Sequence, residues 1–179
     1  EGVNYTNIEG LGTFKSSATQ NRAPFFEVAA IVIVAQGMKN CYLEDIKYES
    51  SPGNVQVMFF PMPVDLEIVN ASPENPFLAA WVGIDLVRLT DVLLRIDRID
   101  GEIAKPISGD LSGIFSIPLN DGLLDPTIRL FESLSDPMDS TMLGGMAVDE
   151  LYYRLLRHER GGELRYLLQQ RGEIQRISK

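Results

Sequence analysis

The most constraining feature of this sequence is an uninterrupted apolar run of eight residues from Val28 to Ala35, rich in β-branched side chains. Val and Ile lose side-chain freedom in a helix and fit the pleated surface of a sheet, so the run predicts a buried strand. It is far shorter than the roughly 20 apolar residues that span a bilayer. Later segments up to Trp81 repeat the theme of a short apolar or alternating run that ends at turn residues. We therefore expect residues 27–81 to form a compact all-β unit.

Turn-forming residues divide this stretch into short strands. Residues 64–68 show the clearest alternation, because Val, Leu and Ile there alternate with Asp and Glu. The segment 36–39 is typical of a hairpin turn, Glu44-Asp45 of a tight reversal, and 50–54 of a turn built on Pro, Gly and Asn. Short strands joined in this way predict an antiparallel sandwich or small barrel rather than a parallel α/β sheet.

The apolar spacing changes at Asp85 from every second residue to every third or fourth. This period predicts an amphipathic helix that begins after Asp85 and ends at Gly101. The pair Asp125-Pro126 predicts the N-cap and first helical position of the next helix, and Gly161-Gly162 predicts the end of the one after it. The helices after the first are expected near 123–134, 140–158 and 163–179.

We expect an α+β chain, with a β-barrel core over 1–85 and a helical appendage over 86–179, both in one domain. The appendage should contain one returning strand near 114–117. Residues 1–24 are rich in Gly, Asn, Ser and Thr and predict only one edge strand, at 11–14. The last helix reaches Lys179 without a closing glycine, which predicts that the natural protein continues.

Histidine and cysteine are scarce, with one of each, His158 and Cys41. Transition-metal sites draw on several such side chains, so we expect no metal and no cofactor. A lone cysteine excludes an internal disulfide, and a buried strand thiol is normally inert, as we expect for Cys41. Lys39 would lie on the same side of the strand as Cys41 only if that strand starts at Met38. His158 is expected to cap a helix C-terminus, where a cation suits the dipole.

Charge is unevenly distributed along the chain. Seven basic and three acidic residues give residues 151–179 a net charge of +4, which leaves 9 basic and 22 acidic residues, or −13, for residues 1–150. Phosphate backbones repel an acidic body of this kind, so it should not itself bind DNA. The basic tail lacks Lys/Arg runs and interleaved aromatics, which favours a solvated helix.

Three separated segments carry signatures. The apolar strand is followed by QGMK at 36–39, residues 70–78 are NASPENPFL, and DELYYRLL at 149–156 is followed by GGELR at 161–165. In this order they resemble the N-terminal domain of AraC-type transcriptional regulators, and the resemblance covers roughly residues 8–179. Met38 departs from the family pattern, in which Arg or another polar residue is common.

This resemblance implies a cupin-like β-barrel followed by helices. It also implies that the chain senses an unidentified small-molecule effector, forms a homodimer, and meets DNA only through a helix-turn-helix domain after Lys179. A cytoplasmic location is expected, because no signal pattern or span of transmembrane length is present.

Residues in the middle of the predicted strands are candidates for ligand contact, if they point into the barrel. Trp81 is the strongest of them, because its ring can stack on a ligand while its N–H donates a hydrogen bond. None of the predicted strands contains a histidine, which disfavours a metal-dependent cupin enzyme. The candidates are Ile31, Ile33, Cys41, Leu43, Val57, Phe59, Leu66, Ile68 and Trp81.

The apolar stripe of the last two helices predicts either packing against the barrel or a role in dimerisation and relay to a DNA-binding domain. The stripe consists of Leu151, Leu155, Leu164, Leu167 and Leu168. Two other functions remain open for the whole chain. One is a metal-free, isomerase-like cupin-fold enzyme, which would need titratable groups that converge inside the barrel. The other is an interaction module with a filled core and no ligand.

Overall fold

The computed structural model describes residues 1–100 and 113–177. Contacts divide the chain into two compact units, Glu1–Ile84 with Ser112–Asp121 and Asp85–Leu111 with Gly122–Lys179. The predicted helix end at Gly101 lies outside the described residues.

The first unit consists of ten strands in two antiparallel sheets, and the chain as a whole is α+β. The larger sheet has the order β1-β2-β9-β4-β7-β10, the smaller one β3-β8-β5-β6, and β6 adjoins β7 and β10. The strands are β1 Gly2–Tyr5, β2 Leu11–Ser16, β3 Gln20–Glu27, β4 Ala30–Gln36, β5 Met38–Leu43, β6 Ile46–Ser50, β7 Asn54–Met58, β8 Met62–Val69, β9 Phe77–Gly83 and β10 Ile114–Pro118.

Two apolar clusters join the sheets and identify the faces that meet. One cluster combines Cys41 and Val64 of the smaller sheet with Met58 and Ile114 of the larger sheet. The other combines Ile68 of the smaller sheet with Val34 and Phe77 of the larger one. Successive side chains of a strand point to opposite faces, so every second residue from these lies on the same inner face.

The opposite, outer face of the larger sheet is buried as well. Ile31, Val57 and Val82 lie on it, because they alternate with the inner-face residues of their strands, and all three are almost fully buried. Strands that are buried on both faces have continuous apolar sequences without alternation. This explains the unbroken run at the start of β4.

The second unit is helical. It contains α1 Leu86–Asp100, α2 Asp121–Glu132, α3 Pro137–Arg157 and α4 Gly161–Ile177, with a 3₁₀ turn at Ser133–Ser135 between α2 and α3. Asp136 caps α3, because its side chain accepts hydrogen bonds from the N–H groups of Met138 and Asp139 at 2.7 and 3.1 Å. His158 ends the same helix through its backbone N–H, which donates to the carbonyls of Arg154 and Leu155.

The expected start of α2 is wrong. Asp125 and Pro126 lie inside the helix, which begins at Asp121. Starting one turn earlier places Leu123 on the same buried face as Thr127 and Leu130, and this packing outweighs the local capping signal. Likewise α3 begins before Ser140, and Gly161 starts α4.

The expected hairpin at 36–39 is also wrong. β4 and β5 belong to different sheets, and Gly37, with a φ of +81°, carries the chain from one to the other. The reversal at Glu44-Asp45 is confirmed, because Leu43 pairs with Ile46 across it. In the N-terminal segment the structure has three strands where one was predicted, and β2 is no edge strand because β1 pairs with it.

Replacing Gly37 with alanine is expected to destabilise the first unit by about 2 kcal/mol, because a left-handed backbone strains any residue with a Cβ. A Cβ at Gly37 would also lie 3.2 Å from the Cα of Phe77. Gly53→Ala is the matched control, since Gly53 has a φ of +93° but open space around its Cα. Urea unfolding should show the larger loss for Gly37→Ala, and equal losses would contradict a packing role.

Candidate functional site

The interior between the two inner faces is the candidate functional site. β5 begins at Met38, so Lys39 lies two residues from Cys41 on the inner face of the smaller sheet. The β5–β6 register places Ser50 directly opposite Lys39, and β8 places Ile68 on its other side. The strand starts at Met38, so the condition set from the sequence for Lys39 and Cys41 to share one side is met.

Lys39 and Glu27 form an ion pair in this interior. The Lys39 Nζ lies 3.4 Å from Glu27 Oε2, and their side chains are 9% and 13% exposed. Burial raises the pKa of the Cys41 thiol to about 11, while the nearby Lys39 charge lowers it and the Glu27 charge raises it. Both charges therefore act on the thiol. A thiol with this pKa stays protonated at neutral pH, so Cys41 is a poor nucleophile.

Two further polar side chains point into the same space. Gln56 is 1% exposed and shares the inner face of β7 with Met58, because the two are separated by two positions. Neither polar atom of its amide has a hydrogen-bond partner in the described part of the chain, and the same holds for the buried hydroxyl oxygen of Ser50. Buried polar groups are nearly always paired, so these three atoms require an explanation. The sequence pattern placed the neighbouring Val57 on the inner face, which would turn Gln56 outward. Burial of both sheet faces removes the contrast on which such an assignment depends.

The predicted ligand-contacting residues are divided between the two faces. Cys41, Leu66 and Ile68 lie on the inner face, and Leu43 is packed against the Cys41 cluster. Phe59 is buried immediately after β7. The expected inward orientation is wrong for Ile31, Ile33 and Val57, which lie on the outer face of the larger sheet.

Trp81 lies on the inner face, opposite Val32 in the β4–β9 register. Its ring covers Gly12 of β2, where a Cβ would collide with it. The Tyr5 ring meets it edge-on, with 6.0 Å between the ring centroids. Trp81 therefore lies toward the β1 edge of the sheet, and its contact with a ligand remains a prediction.

The predicted dimer and relay leucines lie within the helical unit. Leu151, Leu155, Leu164 and Leu168 are buried, and Leu167 is partly exposed. In this structure they form the packing of α3 and α4 rather than an exposed surface.

The signature at 149–156 joins the helices of the second unit. Asp149 accepts hydrogen bonds from Arg88 Nε at 2.6 Å and Arg95 Nη2 at 3.0 Å, both on α1. Glu150 accepts from Arg129 of α2 and from Arg154 one turn along α3. Burial alone would raise the pKa of the Asp149 carboxyl, but the bonds from the two arginines outweigh it and hold that pKa below its ordinary value.

Tyr152 completes this set of contacts. Its hydroxyl oxygen accepts a hydrogen bond from the Asp85 N–H at 2.9 Å, and the Asp85 carboxylate caps α1 through the N–H groups of Val87 and Arg88. The signature therefore has a structural role, which is to hold α1 and α2 against α3.

A family model described as the N-terminus of AraC-type transcriptional regulators matches residues 7–163. The chain belongs to this family. Members of the family are transcriptional regulators, which confirms the resemblance found in the sequence. A search of curated proteins finds no match.

Solved structures of the AraC-like regulator ToxT from Vibrio cholerae share the fold. An apo ToxT variant from strain SCE256 has a TM-score of 0.55 at 7% identity, covering 86% of this chain and 58% of that chain. ToxT from O395 bound to (E)-4-(8-methylnaphthalen-1-yl)but-3-enoic acid also has a TM-score of 0.55, at 5% identity, over 88% and 57%. Wild-type ToxT with an unsaturated fatty acid has a TM-score of 0.50 at 10% identity, over 85% and 53%. This AraC-type chain therefore spans a little over half the length of the ToxT chains.

Within residues 1–100 and 113–177, no helix is long and apolar enough to cross a membrane. In the same part of the chain no three His, Cys, Asp or Glu side chains are grouped so that they could hold a metal ion.

Asp149→Asn is expected to destabilise the helical unit by about 1 kcal/mol at pH 7, because it weakens two charge-assisted hydrogen bonds. A depressed pKa in the folded state contributes stability above the unfolded pKa of about 3.9, and this contribution is lost as pH falls through the folded pKa. The difference between wild type and variant should therefore shrink below about pH 4.

Asp91→Asn is the control for this measurement, because it removes the same charge from an exposed position on α1. Thermal unfolding followed by circular dichroism at pH 7 and pH 3 would test the expectation. A difference between wild type and Asp149→Asn that is independent of pH would contradict it.

Proposed function

We propose that this chain is the ligand-sensing and dimerisation domain of an AraC-type transcriptional regulator. In this proposal it binds a small-molecule effector between its two sheets and controls a helix-turn-helix domain that follows Lys179 in the natural, cytoplasmic protein. The observation that carries the proposal is the set of buried, unpaired polar atoms of Gln56 and Ser50 on the two inner faces, with Ser50 the cross-strand neighbour of Lys39 in the Lys39–Glu27 pair. In a filled core without a ligand, these polar groups would be removed from water without gaining a hydrogen bond in exchange, which costs free energy.

Carboxylic acids with an apolar body are the first ligands to test, because two of the ToxT structures carry such acids. The apolar clusters around Cys41 and Val34 would contact the body of such a ligand. Of the predicted ligand residues, the inner-face set of Cys41, Leu66, Ile68 and Trp81 fits this proposal.

Ligand binding is expected to raise the melting temperature of the chain, because a ligand at 100 times its Kd stabilises the folded state by about 2.7 kcal/mol. Differential scanning fluorimetry with medium-chain fatty acids, the matching alcohols and a neutral sugar would measure this. The absence of a shift with every class would count against a sensing function.

Control of DNA binding requires a second domain. We expect the coding sequence after the codon for Lys179 to encode a helix-turn-helix, and in that longer protein the effector should change affinity for promoter DNA. A coding sequence that ends without such a domain would contradict this part of the proposal.

Three methionines on α3 form the surface that we assign to dimerisation. Met138, Met142 and Met146 are spaced four residues apart, so they lie on one side of the helix, and they are 69%, 62% and 68% exposed. We call them the methionine face. Exposed apolar patches mark interaction sites, and methionine adapts well to a partner surface. The buried leucines of α3 and α4 would then relay the state of the site rather than touch the second subunit.

Met142→Lys is expected to weaken the homodimer at least tenfold, because the charge would be desolvated at the centre of the contact. Val87→Lys is the matched control, since Val87 is 75% exposed on α1 and lies outside the methionine face. Sedimentation velocity over a concentration series would measure dissociation. Equal effects of the two variants would exclude the methionine face as the interface.

One observation favours the alternative function, a metal-free isomerase-like enzyme. Lys39 and Glu27 are two titratable groups that meet between the sheets, as an acid and a base must. Recovery of every bound ligand chemically unchanged, as followed by NMR, would eliminate the enzyme.

A further inference from the structure

Lys39 is incompletely bonded for a buried cation. An ammonium group has three donors, and charge-assisted hydrogen bonds are normally about 2.7–2.9 Å long. In the described part of the chain Lys39 Nζ has one hydrogen bond, to Glu27, and at 3.4 Å it is long. The pair thus neutralises the charge of Lys39 but leaves its other N–H donors without a hydrogen bond in the described residues.

Glu27 reaches this lysine from a weakly held position. It is the last residue of β3, the edge strand of the smaller sheet, and most of that strand is exposed. Phe25, Phe26 and Val28 around it are 51%, 63% and 52% exposed. The end of β3 is held by its pairing with β8, in which Glu27 lies opposite Met62, and segments with few buried apolar contacts open at low free energy.

The unpaired polar atoms lie on the two inner faces, next to residues of the apolar clusters. Ser50 is the cross-strand neighbour of Lys39. Gln56 is the cross-strand neighbour of Val32. Val32 lies between Val34, which belongs to one apolar cluster, and Ala30, which pairs with Met58 of the other cluster. Lys39 likewise lies between Cys41 of one cluster, two positions along β5, and Ile68 of the other, its neighbour on β8. The interior therefore carries one cation with spare donors, one hydroxyl and one amide among residues of the two apolar clusters.

We propose that Glu27 occupies the place of a ligand carboxylate on Lys39 and that effector binding exchanges one carboxylate for the other. This inference rests on the proposed sensing function and specifies the ligand class and the switch. The effector is a monoanionic carboxylic acid with an apolar body.

Charge balance selects this class. One carboxylate replaces another, so the interior gains no net charge, whereas a phosphate dianion would add one and a cationic ligand would oppose Lys39. The ligand carboxylate accepts shorter bonds from Lys39 and can also accept from the Ser50 hydroxyl or the Gln56 amide. Its apolar body packs on the clusters at either end.

The exchange has a structural consequence. Glu27 is followed directly by the short connection to β4, in which the Ala29 carbonyl accepts a hydrogen bond from the Ile84 N–H at 2.9 Å. Release of Glu27 would loosen this connection as far as that bond. Binding is thereby converted into movement of the segment 25–29.

The test uses decanoate and decanol, below their micelle concentrations, in isothermal titration calorimetry on the whole chain. Decanoate should bind at least tenfold more tightly than decanol. Glu27→Gln removes the competing carboxylate and should tighten decanoate binding about tenfold without changing decanol binding. Lys39→Met should abolish the preference for decanoate, and the double variant Lys39→Met/Glu27→Gln should do so without leaving an unpaired buried charge.

Lys47→Met and Glu49→Gln are the matched controls. Lys47 and Glu49 form a pair with the same 3.4 Å separation, but their side chains are 46% and 51% exposed, and neither control should alter binding. Hydrogen exchange gives a second measurement. Decanoate should accelerate exchange at residues 25–29 in the wild type, and Glu27→Gln should show fast exchange without ligand.

Two results would overturn the inference in different ways. If decanoate and decanol bind equally and Lys39→Met changes neither, sensing stands but the carboxylate exchange does not. If Glu27→Gln leaves decanoate affinity unchanged or weakens it, Glu27 is no competitor. Failure of both ligands and of the wider panel of compounds to bind the wild type would instead reject the sensing function itself.

Discussion

Burial of β4 on both faces is the constraint on which the rest of the first unit depends. A strand in that position has no solvent side, so its neighbours β7 and β9 must also supply apolar residues to both faces. Met58 and Phe77 fill the inner face while Val57 and Val82 fill the outer one. The polar residues of the interior can then come only from positions that interrupt this pattern, which is why Gln56 and Lys39 stand out.

Polar groups in such an interior are tolerated when something pairs with them. On the outer face of the smaller sheet Glu67 accepts hydrogen bonds from Asn40 at 2.7 Å and Tyr42 at 2.8 Å, although the buried Asn40 Oδ1 has no partner in the described residues. These two bonds hold the pKa of the Glu67 carboxyl below its ordinary value, and the bond from Asn40 has the larger effect. The inner face has no comparable network around Gln56 in the described residues. A site that stays partly unsatisfied when empty is well suited to recognise a molecule that satisfies it.

Sequence patterns anticipated the fold class, the family and the returning strand of β10, because period and turn chemistry are local properties. They did not show which face of β4 points inward, since alternation is informative only where one face meets solvent. The change of sheet at Gly37 was missed for a related reason, because a glycine with positive φ serves a hairpin and a sheet crossing equally well. The early start of α2 depends on the burial of Leu123, which is a tertiary effect. The side taken by Lys39 stayed conditional in the sequence, because the crossing resembles a turn and hides where β5 begins.

The single thiol has a consequence for experiments on motion. Cys41 is buried and its pKa is about 11, so maleimide and iodoacetamide reagents, which need a thiolate, should pass it by. Cys41 would therefore contribute no labelled site of its own to a spectroscopic experiment. Two cysteines introduced at exposed positions of one unit would then be the sites that carry the labels, and the distance between the two labels could be followed.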